Sequence, residues 1–143
     1  MAERLTLAEG TFTGCFGCGT DNPVGLKLQF EKDGDLVRSG ARLGNEYAGY
    51  RDFAHGGVVA AMLDEAMGWA MVHVAGRHGV TKRLVVTYRR PVSIERDIVV
   101  IARVKGQTDS TVLLESRIED ERGRLLARAD GEWVVVREQR AAG

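Results

Sequence analysis

The stretch AHGGVVAAMLDEAMGWAMVHVAG, Ala54 to Gly76, holds the residues of this chain best suited to chemistry. His55, Gly56 and Gly57 stand near its start, and two acids, Asp64 and Glu65, lie side by side within it. Glycines at a helix start let another group approach the first-turn N–H groups, which carry a partial positive charge. Such a start seats an anion, or a carbonyl oxygen that becomes anionic during reaction. The same glycines also serve as nothing more than a tight lead into the helix. The acids shift the balance, because a carboxylate in a near-continuous apolar helix is costly unless paired or functional. Adjacent helical positions differ by about 100° in direction. One acid can therefore turn to solvent or to an Arg, the expectation for Glu65, while the other faces an internal cleft. From Gly57 to Asp64 is about 10 Å along the axis. A base and an oxyanion donor must both reach one substrate group, which two antiparallel copies of the helix do more easily than one. The spacing thus predicts a homodimer, or a dimer of dimers, with equivalent composite sites.

The elements that position these residues follow from patterning. With 143 residues, 44% hydrophobic and 28% charged, the chain is expected to form one globular domain spanning 1–143. Residues 1–22 read as a loop-like leader and 138–143 as a loose tail. VGLKLQFEKDGDLVRSGARL alternates around Asp33-Gly34, a hairpin signal. The long helix runs to Gly76, and strands follow in VTKRLVVTYRRPV, DIVVIARVKG, TVLLESRIEDERGR and LLARADGEWVVV. The order β-β-α-β-β-β-β, with short links after the helix, predicts an α+β fold: an antiparallel sheet wrapped around one central helix. Enclosure by the sheet accounts for a helix that is apolar nearly all round. Two acids and four glycines argue against that segment spanning a membrane. Lys plus Arg equals Asp plus Glu, 20 each, so nothing in the net charge draws the chain to nucleic acid or anionic lipid. MAERLTLAEG lacks a signal-peptide core, and two cysteines are too few for a secreted disulfide framework, so a cytoplasmic location is expected.

HGGVVAAMLDEAMGWA, an acid nine residues after the His, and the order of elements together resemble the hotdog-fold acyl-CoA thioesterases, in particular the PaaI-like subgroup of the 4-hydroxybenzoyl-CoA thioesterase superfamily. VTYRRPV and the leader CFGCGTDNPVGL are similar to segments of that family, and the likeness covers about residues 15 to 137. It implies hydrolysis of an acyl- or aroyl-CoA with no cofactor beyond the coenzyme A of the substrate. It also implies Asp64 as general base or nucleophile, Gly57 N–H as oxyanion donor, His55 orienting the site and Thr81 holding the water or the carboxylate. Where members carry an Asn six residues before the His, this chain has Gly49, with Asn45, Tyr50 and, in the leader, Asn22 as substitutes. Gly56 would help bind the thioester.

Other features are weaker. CFGC, Cys15 to Cys18, is a single CxxC without a second pair or spaced His ligands, so no metal is expected and the cysteines read as loop packing. Arg89 and Arg90, adjacent on a strand, are expected on opposite faces, where one could meet coenzyme A phosphates. Trp69 and Trp133 read as core, although Trp69, on the helix of Asp64, could line an acyl tunnel. A hotdog hydratase would pair its Asp with a His, and none lies within a turn of Asp64. A non-hydrolytic acyl-CoA-binding protein is the other rival.

Overall fold

A computed structural model describes residues 2–7 and 12–136. Seven strands and one long helix follow in the order β1 (Glu3–Arg4), β2 (Glu31–Asp33), β3 (Leu36–Ala41), α1 (Gly56–His73), β4 (Gly79–Tyr88), β5 (Ile98–Gln107), β6 (Thr111–Asp120) and β7 (Leu125–Val135). All the strand pairs are antiparallel, in one sheet ordered β1-β2-β3-β5-β6-β7-β4. The sheet curls around α1, which touches β3 to β7. This is the α+β architecture expected from the order of elements, and the hotdog fold that the family resemblance implies.

Three local expectations are corrected. The leader contributes a strand, because Glu3 and Arg4 pair with Lys32 and Glu31. The first arm of the hairpin is regular only from Glu31, since residues 24–30 bond instead to the leader, Leu26 and Leu28 N–H donating to Phe16 and Gly17 carbonyls. The helix stops at His73, and Gly76 takes the left-handed turn beyond it at φ 69°. The tail 138–143 lies outside the described residues.

Val59, Met62, Leu63, Ala66, Met67, Ala70 and Met71 of α1 are buried against Val37, Val100, Val112, Leu114 and Ile118 of the sheet. Each fully buried Leu or Met contributes roughly 1.5–3 kcal/mol. The helix is not enclosed by the sheet alone. The leader loop covers a second side at Glu65, and a stripe through Gly57, Ala61, Asp64, Gly68 and Val72 stays partly open. No helix among the described residues is long and apolar enough to cross a membrane.

Candidate active site

The start of α1 is fixed by its cap. His55, at φ −58° and ψ 134°, is the N-cap residue, and its Nδ1 accepts the Gly57 N–H at 2.9 Å. Its carbonyl accepts Val58 and Val59 N–H at 3.0 and 3.1 Å. Gly57 N–H is therefore already engaged in this chain. The Gly56 N–H has no hydrogen-bond acceptor among the described residues, and Gly56 is exposed. The free first-turn donor is thus Gly56, one residue before the one expected. Tyr88 at the end of β4 donates its hydroxyl to the Gly56 carbonyl at 2.6 Å and so fixes this turn from the far side.

Asp64 lies two turns on, half-buried, and Thr81 Oγ1 donates to its Oδ1 at 2.6 Å. Thr81 thus stands directly beside the Asp64 carboxylate. Thr81 and Tyr88 are seven residues apart, so in a regular strand they would face opposite sides of the sheet. Both reach α1 because the register against β7 shifts between Thr81 and Arg83, pairing Thr81 with Trp133 and Arg83 with Glu132. Lys82 is the extra residue of this bulge, which re-aims one half of β4. Beneath the site, the buried Ser116 hydroxyl donates to the Leu63 carbonyl at 2.9 Å and pins the helix beside Asp64. Neither Tyr88 nor Ser116 stands out in the sequence.

Glu65 departs from expectation. It neither turns fully to solvent nor pairs with a Lys or Arg among the described residues. Its Oε1 accepts Trp69 Nε1 at 3.2 Å, and Cys15 Sγ lies 3.7 Å from both carboxylate oxygens. Gly17 is buried against it, and a Cβ at Gly17 would overlap the Glu65 carboxyl carbon. Burial, with Glu65 and Cys15 adjacent, pushes the Cys18 thiol well above its usual range. Cys15 and Cys18 therefore do more than fill a loop: with Glu65 they form a cluster.

The remaining expected site residues are not gathered around Asp64. Trp69 is 8% exposed and stacks between Phe30 and His73, with ring centroids 5.2 and 5.1 Å away. It points about 140° around the helix from Asp64 and is core, not tunnel wall. Asn45 opens an exposed 3-10 turn, Asn45–Tyr47, and Tyr50 projects from the next loop under Arg51. Asn22 is occupied within the leader, where it donates to the Gly14 carbonyl and accepts from Val24 N–H. At Gly49 an added Cβ would lie 2.8 Å from the His55 Cα, so this backbone leaves no room for an Asn. Arg89 and Arg90 fall beyond the end of β4, not on the strand, and both backbone N–H groups donate to the Leu126 carbonyl. Arg90 lines an open cavity of ≈ 600 Å³ with Phe53, Arg96, Arg122 and Arg124. A second cavity, ≈ 400 Å³, lies among Leu36, Arg103, Glu115 and Arg117. Neither is lined by Gly56 or Asp64.

Gly56 and Asp64 are eight residues apart, about 12 Å along the helix, so one chain does not bring them to one substrate atom. Beside them, β4 ends the sheet and, among the described residues, has β7 as its only neighbour there. Val80, Val85 and Tyr88 on it are 58%, 45% and 52% exposed. A ten-residue edge strand that exposes these three apolar side chains is a template for a further strand.

The geometry has known counterparts. Solved structures of the same fold include a thioesterase superfamily protein at 24% identity and TM-score 0.81, the match covering 85% of this chain and 60% of that one. The chain thus spans less than two thirds of that protein's length. A hypothetical thioesterase from Streptococcus pneumoniae, solved with coenzyme A, matches at 20% identity and TM-score 0.72 over 79% of this chain and 91% of its own. Two further structures of that protein carry an aspartate-to-alanine and a threonine-to-alanine substitution. The PaaI protein of the Escherichia coli phenylacetic acid degradation operon matches at 17% identity and TM-score 0.71, over 78% and 81% of the two chains. No curated protein sequence matches the chain significantly. The family model described as "Thioesterase superfamily" matches residues 52–127, more than half of the chain, from the loop before His55 to Ala127 on β7. This protein belongs to the thioesterase superfamily.

Proposed function

We propose that the protein hydrolyses an acyl- or aroyl-CoA thioester to the free acid and coenzyme A, at sites shared by two copies of the chain. The observation that carries this function is the Thr81–Asp64 hydrogen bond, 2.6 Å, beside an open strand edge and a helix start with a free amide. Pairing β4 of one copy with β4 of another would cover Val80, Val85 and Tyr88 and satisfy the strand's free backbone groups. Such a two-fold contact would set Asp64 of one copy toward the helix start of the other.

In that arrangement the thioester oxygen sits on the Gly56 N–H, where the helix dipole strengthens the contact as the oxygen becomes anionic. Gly57 N–H, the donor first expected, would have to leave His55 Nδ1 to take part, so His55 acts through the cap. Asp64, oriented by Thr81, either removes a proton from the attacking water or attacks the carbonyl carbon itself. Coenzyme A leaves as the thiol. Arg90, Arg96 and Arg122, beside Asp97 and Glu121 in the same cavity, offer positive charge for the phosphates of the leaving group. Support also comes from the S. pneumoniae protein, which holds coenzyme A and in which an aspartate and a threonine were the residues replaced.

Release of free thiol from a panel of acyl- and aroyl-CoA esters tests the activity. Saturable release that disappears in Asp64→Asn supports it; tight binding of the esters without thiol release would make the protein a binding module instead. A single turnover in ¹⁸O-water separates the two roles of Asp64. Label entering the Asp64 carboxylate marks a nucleophile; label confined to the product acid, with no acyl–Asp64 anhydride trapped by hydroxylamine, marks a base.

A further inference from the structure

The cluster on the other side of α1 is independent of the hydrolytic reading. Cys15 Sγ, Cys18 Sγ and a Glu65 carboxylate oxygen lie within 4.8 Å of one another, all half-buried. We propose that these three side chains bind a zinc-class divalent cation, which fastens the leader loop to α1 next to Asp64.

The donor set fits that ion. Thiolates favour zinc over calcium or magnesium, and carboxylate oxygen completes many zinc sites. In a tetrahedral site with metal–sulfur near 2.3 Å and metal–oxygen near 2.0–2.2 Å, a sulfur and an oxygen ligand stand roughly 3.5–3.7 Å apart. Cys15 Sγ is 3.7 Å from each Glu65 oxygen. Only small movements would bring the three ligands onto one ion, and the fourth position would be left to solvent.

The surroundings are built for this arrangement. Gly19 N–H donates to the Cys15 carbonyl at 2.8 Å, closing a turn that sets both cysteines on one side. Gly17 between them lets the loop backbone lie against the Glu65 carboxyl group, which no larger residue would permit. Trp69 Nε1 holds Glu65 Oε1 at 3.2 Å and so fixes the carboxylate, as outer-sphere donors do at metal sites. Among the described residues no Lys or Arg pairs with Glu65, so a cation bound between the three side chains would meet no competing positive charge. The order of ligands explains the failure of sequence spacing to reveal the site: CxxC supplies two, and the third comes from a helix that begins 38 residues after Cys18.

The test uses the whole chain, reduced and stripped of metal with a chelator. Titration with Zn²⁺ against a chromophoric chelator should give one ion per chain, and Co²⁺ should give thiolate-to-cobalt charge-transfer absorption with the strong visible bands of a tetrahedral site. Zinc should slow the reaction of both cysteines with a thiol reagent and raise the melting temperature. Glu65→Gln should weaken binding about tenfold or more while keeping the charge-transfer band, and Cys15→Ser with Cys18→Ser should abolish both. Wild-type thiols that react equally fast with and without Zn²⁺ would overturn the site, whatever the variants do. So would Co²⁺ binding without a charge-transfer band, or zinc uptake unchanged in the double cysteine variant. The first of these outcomes would leave simple thiol hydrogen bonds to Glu65.

Discussion

Asp64 and Glu65 are neighbours in the chain, carry the same functional group and occupy the same helix, yet they belong to different regions of the molecule. Asp64 looks toward β4, where one hydroxyl donor orients it and the strand edge beside it is open. Glu65 looks toward the leader, where an indole N–H and the Cys15 thiol hold it under a glycine that touches it. The 100° between consecutive helical residues is enough to separate them. A costly buried charge is tolerated in both places, for opposite reasons: one is left accessible for reaction, the other is tied into the fold.

The largest expected difference between the two acids is catalytic. Asp64→Asn keeps the shape and removes the base, and should lower kcat by about two to four decades. Glu65→Gln should cost much less in kcat and show itself in stability instead. Steady-state thiol release from the two variants, normalised to folded protein, checks this. A dead Glu65→Gln beside a fully active Asp64→Asn would reverse the assignment.

At the helix start the comparison is between two glycines. Gly56→Pro removes the free N–H, and His55, at ψ 134°, already has the extended backbone that a following proline favours. A Cβ there meets Tyr88 only at 3.5 Å or beyond, so the fold should persist. Loss of one oxyanion donor costs about 2.7–4 kcal/mol of barrier, felt in kcat more than in KM. Gly57→Pro should act differently. It removes the N–H that donates to the capping His55 Nδ1, so it should lower the melting temperature, and kcat per folded molecule should fall less than in Gly56→Pro.

A smaller effect is expected where β4 holds Asp64. Thr81→Val removes a hydrogen bond to a charged group, a loss of about 1.5–3 kcal/mol, and should lower kcat roughly 10- to 100-fold with a near-normal melting temperature. The smallest effect belongs to the Glu65 side. Gly17→Ala forces a methyl against the Glu65 carboxyl group and should destabilise by about 1–3 kcal/mol, seen as a lower melting temperature with kcat per folded molecule retained.

Much of this was legible before any coordinates. The helix start at Gly56 and the antiparallel strands after it follow from patterning. What could not be read depends on long-range packing. No residue type in VTKRLVVTY singles out Lys82 as a bulge, yet that single extra residue lets both Thr81 and Tyr88 face α1. Residues 24–30 look like a strand, but their backbone groups are claimed by the leader. The free amide moved from Gly57 to Gly56 because a His at the N-cap offers its own ring nitrogen, a choice that depends on rotamer and not on residue type. Sequence alone turns Glu65 to solvent or to an Arg, because the Cys15 thiol that meets it lies in a loop 50 residues earlier.

The central claim is that Asp64 and the helix-start amide meet only between two copies of the chain. Mixing Asp64→Asn chains with Gly56→Pro chains, under conditions where exchange is shown by mass, tests it directly. With equal mixing, half of the dimers combine the two variants and each of these has one intact site, so thiol release should recover to about a quarter of wild type. Release no greater than the mean of the two parents, despite proven exchange, would contradict shared sites.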